Sequence, residues 1–338
     1  IRPAHAMGDG IHKSTDAGKT WKKMGLEKTG RIGRILIHPT NPDIVYAAAL
    51  GHTYGPQQER GVFKTTDGGE TWERIFFVDE NTGAAELAMD PDNPDRLLVG
   101  MWSVHINTWG LRSGGPGGGV YRSLDGGKSW EALSEKGLPG GDKNPVGKTA
   151  VAISPSQPDI VYALFEIDSP ALYRSEDFGE TWTLQTRNHD IAERAPYYTR
   201  MAVSPGDPDE VYFASVKFST SKDGGKTFKA IDGDNVHSDH HALWINPGLQ
   251  GHLINGNDGG VNISYDSGEN WIKNNNPSVG QFYAINVDNQ KPYHVYGGLQ
   301  DNGVWKGPHN ADESVRWHSS GQYPWEAIMG GDGMQVQV

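Results

Sequence analysis

The pattern Ser/Thr-x-Asp-x-Gly-x-(Thr/Ser/Asn)-(Trp/Phe) occurs six times in this chain, with its aspartate at Asp16, Asp67, Asp125, Asp177, Asp223 and Asp266. The spacings are 51, 58, 52, 46 and 43 residues, a drifting period that suits propeller blades rather than short solenoid turns. A second motif alternates with the first: "HPTNPDIVYAAA" (38–49), "DPDNPDRLLVGM" (90–101), "SPSQPDIVYALF" (154–165), "SPGDPDEVYFAS" (204–215), "NPGLQGHLINGN" (246–257) and "VDNQKPYHVYGG" (287–298). Each places a Pro- and Asp-rich turn between two runs of β-branched, aromatic and small residues, as a hairpin requires. The repeating order is strand, Pro turn, strand, variable loop, strand, box, strand, which predicts four-stranded antiparallel blades.

The box has a mechanical explanation that needs no ligand. Asp and Ser/Thr side chains bond back to the amides of a tight turn, the glycine two residues after the aspartate takes a positive φ, and the closing aromatic ring packs on its neighbours. All six boxes are therefore read as frame.

The sequence predicts an all-β fold, a single seven-bladed propeller over residues 1–338. Its blades are expected at about 30–76, 81–133, 145–185, 197–230, 240–274 and 281–318, with 1–26 and 330–338 together forming the closing blade. The alternative is that 333–338 opens a second propeller. The phase of the repeats and the start at Ile1 without Met read as a fragment of a longer protein, one that could continue into a second propeller or a C-terminal domain. With 45 Gly, 20 Pro and 11 Trp the composition suits many short strands and turns. The absence of cysteine excludes disulfides, thiolate metal sites and a Cys nucleophile. A net charge of −12 argues against a nucleic-acid partner, and no apolar run has the length of a membrane span.

On such a fold, the loops entering the inner strands and those joining second to third strands open on one face, around the central channel, where ligands bind. The entry positions are Arg31, Arg34, Glu86, Lys148, Tyr197, Tyr198, Arg200, the run 237–241, Phe282, Tyr283, Glu326 and Asp332. The other loops offer His52, Tyr54, Trp102, Trp109, Arg112, Asp258, Gln300 and Asp301. In "HSDHHAL", strand alternation sends His237, Asp239 and His241 to one side and His240 to the other. Three readings of this run stay open: a divalent metal on His237, Asp239 and His241, a substrate-contact or acid/base role, or hydrogen bonding to loop carbonyls. No cofactor is otherwise required. Asp258 in "NDGG" and Asp301 in "QDNG" take equivalent places in adjacent blades. Two carboxylates about 5 to 10 Å apart would serve a glycosidase as acid and nucleophile or base, whereas the same tetrapeptides are also good turns. The insert "MWSVHINTWGLRSGGPGGG" (101–119) has the composition of a mobile loop reaching over a cleft, with one tryptophan turned inward and the other free to stack on a sugar or a peptide ring.

Beyond the boxes, "LGHTYGPQQERGVFKTTDGG" (50–69), "SGGPGGGVYRSLDGG" (113–127), "HSDHHALWINP" (237–247), "GNDGGVNISYDSG" (256–268) and "GGLQDNGVW" (297–305) carry a resemblance. The chain resembles the bacterial BNR/Asp-box propellers described as sortilin-like or glycosyl hydrolase, which are related to xyloglucanases and sialidases. The resemblance implies a carbohydrate-active, extracytoplasmic (secreted or periplasmic) protein. As a glycoside hydrolase it would use Asp239, Asp258 and Asp301 as catalytic carboxylates, with His52, Tyr54, Trp109, Arg112, Tyr198, Arg200, His237, His240 and His241 around the substrate. The alternative it implies is a non-catalytic propeller, sortilin-like or assembly-factor-like, that grips a peptide or partner protein. The chain departs from the sialidases, whose Arg-Ile-Pro motif is echoed only by "IRPA" (1–4). It also departs from the xyloglucanases, whose acid and base face each other across a cleft between two propellers.

Overall fold

A computed structural model describes residues 7–233, 235–274, 280–312, 314–315 and 323–338. Six antiparallel four-strand ladders follow one another, each in the order inner, second, third, outer. Their inner strands are Ile32–Ile37, Thr82–Met89, Thr149–Ile153, Arg200–Val203, His240–Ile245 and Phe282–Val287. A seventh, two-stranded sheet pairs His12–Lys13 with Lys22–Lys23. The all-β propeller expectation holds. The sixth blade differs: its outer strand is Glu326–Met329, beyond the expected limit at 318. No box follows Val304–Pro308, and the outer strand begins only at Glu326.

Each box is wired alike. In the second, Asp67 Oδ1 accepts from Thr71 N (2.9 Å) and Thr65 Oγ1 (2.7 Å), and Oδ2 accepts from Thr71 Oγ1 (2.6 Å). The same three partners recur around Asp16, Asp125, Asp177, Asp223 and Asp266. Two consecutive residues take positive φ, not one: Gly68 (71°) and Gly69 (103°) here, but Phe178 (53°) before Gly179 and Ser267 (60°) before Gly268.

The two repeated motifs meet at one end of the blade. The amide after the box aspartate donates to the carbonyl of the Pro-turn aspartate, Gly68 to Asp43, Gly126 to Asp95, Phe178 to Asp159 and Gly224 to Asp209, at 2.8 to 3.0 Å. The cation that precedes each of the first four boxes then reaches into the next blade. Lys13 Nζ donates to Gly68 O (3.2 Å), Lys64 Nζ to Gly126 O (3.0 Å) and Arg122 Nη1 to Phe178 O (2.7 Å), while Arg174 Nη2 bonds Asp209 Oδ1 (3.0 Å). Blades are thus stitched in sequence order at the end carrying the boxes.

Between the sheets, the seams from the first blade to the fifth are apolar cores. Tyr46, Ala48 and Val62 of the first blade pack on Leu87, Leu97, Val99 and Met101 of the second, and the second and third join through Leu98, Val120, Val151, Ile153 and Phe165. Glycines set the closest approaches: a Cβ at Gly83 would collide with Leu50 O, and one at Gly100 with Thr149 O. Gly298 meets Gly333 O in the same way, and Gly333 N donates to Leu299 O (2.9 Å). The C-terminal stretch thus begins where the inner strand of a following blade would lie, although 330–338 forms no strand.

Candidate functional site at the channel mouth

The inner strands of the first five blades surround a cavity of about 430 Å³ whose polar lining is Arg34, Glu86, Arg200 and His241. All four stand at or beside the entry end of an inner strand, where alternation aims alternate side chains at the channel. Glu86, 9% exposed, accepts Arg34 Nε at 3.3 Å and Arg200 Nη1 at 3.5 Å. Lys148 lies close by, its ammonium donating to Tyr197 O and Tyr198 O. Burial, and then the Arg200 charge, pull its pKa down to about 8. This side of the mouth is cationic.

Carboxylates gather where the fourth, fifth and sixth blades meet. Tyr198, 2% exposed, donates from its hydroxyl to Asp239 Oδ1 (2.6 Å), which also faces Arg194 Nη1 at 3.8 Å. The Tyr198 ring stands 5.1 Å from the His241 ring. His241 Nε2 is 2.9 Å from Asp258 Oδ1. His237 Nε2 contacts Asp301 O (3.2 Å), and Asn302 Nδ2 donates to Asp258 O (3.2 Å), which ties the fifth blade to the sixth. Burial raises the Asp258 carboxyl above the usual carboxylate range, the Asp301 and Asp239 charges push it the same way, and His241 opposes them. Desolvation and neighbouring like charges both disfavour the ionised form of a carboxyl.

Placed on this map, Asp239, Asp258 and Asp301 come together with His237, His241 and Tyr198, while Arg200 pairs with Glu86 in the cavity lining. Turn geometry does not consume the two glycine-flanked aspartates. The Asp258 carboxylate bonds His241, and the turn at Asp301, whose φ is 59°, is made by its amide donating to Asp332 Oδ1 (3.1 Å). His240 is a correction. It is wholly buried, with Nδ1 2.9 Å from Asn255 Oδ1 and its ring 5.3 Å from Phe218, so alternation turns it away from the substrate. Nor does the structure bring His237, Asp239 and His241 together as ligands: their polar atoms face Ser238 O and Asp301 O, Tyr198 and Arg194, and Asp258 respectively.

The insert is a hairpin rather than a Gly-rich loop, with Leu97–Asn107 pairing Gly110–Ser113. Trp109 at its tip is 88% exposed. Trp102 is buried and donates to Ser113 Oγ (2.8 Å), so the two tryptophans divide as expected. Arg112 lies exposed on the same hairpin, and Ile106 N donates to Thr53 O (2.6 Å), which joins the hairpin to the loop of His52 and Tyr54. Burial, and then Arg60, lower the His52 pKa. Glu166 and Arg194 escaped the sequence reading. Glu166 Oε2 accepts from Ser113 Oγ and Lys148 N, both at 2.6 Å, and neither residue lies in a repeated motif.

Comparison with known proteins accords with this architecture. The profile of the family described as "Sortilin, neurotensin receptor 3" matches residues 9–137, and that of the BNR-Asp box repeat matches 172–185. The chain thus carries BNR/Asp-box repeats on an all-β propeller fold. A xyloglucanase of Acetivibrio thermocellus is 26% identical to this propeller over 229 residues, which are 59% of this chain and 25% of the relative. A probable oligoxyloglucan-reducing end-specific xyloglucanase of Neosartorya fischeri is 22% identical over 340 residues, 84% of this chain and 39% of the relative. The propeller thus spans less than half the length of these curated relatives. Among solved structures, an ancestral GH74 enzyme has a TM-score of 0.48 at 18% identity, covering 96% of this chain and 36% of that one. YCF48 bound to D1 peptide has a TM-score of 0.47 at 16% identity, covering 92% and 84%. No helix among the described residues is long and apolar enough to cross a membrane.

Proposed function

We propose that this propeller hydrolyses glycosidic bonds in a polysaccharide of the xyloglucan class, with Asp258 as proton donor and Asp301 as the carboxylate that activates water or attacks the anomeric carbon. One observation carries the reading. Asp258 is a partly buried carboxyl held above its ordinary range, paired with His241 and electrostatically coupled to Asp301 and Asp239 at the mouth of the channel. Glycoside hydrolysis needs such a division, one carboxyl protonated and another ionised. As the bond from C1 to the glycosidic oxygen breaks, the Asp258 proton passes to the departing oxygen, and a water molecule supplies hydroxide to C1 and restores the proton. Asp239 accepts the Tyr198 hydroxyl and faces Arg194, so its role is to position Tyr198 against His241. Trp109 and Tyr54, 88% and 42% exposed, offer rings for sugars leaving the channel.

The names of the curated relatives point to the same substrate class. A polymer of that size is met outside the cell membrane, which supports an extracytoplasmic location for this propeller. Reducing-end release from xyloglucan and other β-glucans tests the proposal, with Asp258→Asn and Asp301→Asn each expected to lower kcat by 10²-fold or more while glycan binding survives, the scale of lost acid–base catalysis. Release unchanged in both variants, or no release from any glycan together with retained peptide binding, would replace the hydrolase by a recognition propeller.

A further inference from the structure

The segment between the outer strand of the third blade (Thr183–Thr186) and the inner strand of the fourth (Arg200–Val203) carries a cluster that the catalytic reading does not use. His189, Asp190 and Glu193 each offer a ligand atom, and these atoms lie within 4.8 Å of one another. Donors around one ion at metal–ligand distances of about 2.0–2.2 Å stand roughly 3 to 4.4 Å apart, so rotation of these exposed and half-buried side chains has to draw the set together. A second observation points the same way. Glu193 Oε2 is shut off from solvent and has no hydrogen-bond partner among the described residues. A buried carboxylate oxygen without a partner is costly and calls for an explanation. Among the described residues no cation is paired with Glu193: Lys217 Nζ lies 3.5 Å from Asp190 Oδ2, which an ion would have to displace, and the neighbouring Arg194 is turned to Asp239.

We propose that His189, Asp190 and Glu193 bind one divalent first-row transition ion, Zn²⁺ or Mn²⁺, with water completing the coordination. An imidazole with two carboxylates suits these ions, whereas calcium and magnesium favour all-oxygen sites. The ion tethers the segment that delivers Arg194, Tyr198 and Arg200 to the channel mouth. The segment's other anchors are Ser215 Oγ donating to Glu193 O (3.1 Å) and Lys148 donating to Tyr197 O and Tyr198 O. This site does not depend on the carbohydrate reading.

Calorimetric titration of chelator-treated protein with Zn²⁺, Mn²⁺ and Ca²⁺, followed by thermal unfolding in each ion, tests it. One equivalent of Zn²⁺ or Mn²⁺ binds and raises Tm, and Ca²⁺ binds at least tenfold more weakly, as the donor set requires. Glu193→Gln, which keeps the side chain's shape, and His189→Ala each weaken binding by at least tenfold, on the scale of disturbing a metal shell, while metal-free Tm stays within a degree or two. His241→Ala leaves binding unchanged. Absence of saturable binding, affinity that survives Glu193→Gln, a Ca²⁺ affinity equal to that of Zn²⁺, or loss of the site in His241→Ala would each overturn the proposal.

Discussion

The His240 imidazole is sealed in the seam between the fourth and fifth blades, where Asn255 Oδ1 engages Nδ1 and Nε2 meets no partner among the described residues. Burial lowers its pKa below the usual 6.5, with the Asn255 hydrogen bond opposing. Below pH 6.5 the unfolded chain therefore takes up a proton that the folded chain refuses. Stability falls as pH drops from 6.5 toward the folded pKa and is flat in this respect above it. Denaturant unfolding between pH 5 and 7.5 should show this slope, and it should flatten in His240→Gln; an equal slope in both proteins would place the titrating group elsewhere. Alternation in "HSDHHAL" already separated His240 from its neighbours. Its burial was not legible, because that depends on Phe218 from the preceding blade. Arg194 escaped for the same reason, since it reaches Asp239 through a segment without periodicity, and Tyr198 was legible as a position at the mouth but not as the partner of Asp239.

At the scale of the element, six boxes with the same hydrogen bonds differ in what their closing ring does. Trp271 is 7% exposed, donates to Ile231 O (2.6 Å) and meets Phe218 edge-on at 5.7 Å. Trp21 is 63% exposed and donates only to Gly18 O within its own turn (3.0 Å). Trp271→Ala is expected to cost about 3–5 kcal/mol, the range for large buried aromatics, and Trp21→Ala under about 1 kcal/mol. Chemical denaturation of the two variants decides it, and similar losses would mean that the ring serves the turn rather than the seam. The boxes were legible because their chemistry is local, whereas the ring's burial depends on the adjoining blade. The sixth blade shows the limit: once its box is lost, no local signal marks the outer strand at Glu326–Met329.

At the scale of the whole molecule, function depends on how closely the blades approach, because Asp239 and Asp258 belong to the fifth blade, Asp301 to the sixth and Tyr198 to the fourth. The blade period made Asp258 and Asp301 comparable positions in the sequence. Their coupling through Asn302 and His237 is a product of the seam. Glycines hold such seams together: Gly100→Val would drive a side chain into Thr149 O and is expected to cost about 1–3 kcal/mol, as overpacking does, with the loss read as a lower Tm. An unchanged Tm would show that the second and third blades can separate without penalty.

The pH profile of polysaccharide hydrolysis tests the central claim most directly. With Asp258 acting as a protonated donor, kcat/KM falls on the alkaline side as its carboxyl ionises. Because His241 holds that carboxyl down against burial, His241→Ala should move the alkaline limb to higher pH. A limb that stays in place in His241→Ala, or one that persists in the residual activity of Asp258→Asn, would contradict the assignment of Asp258 as the acid.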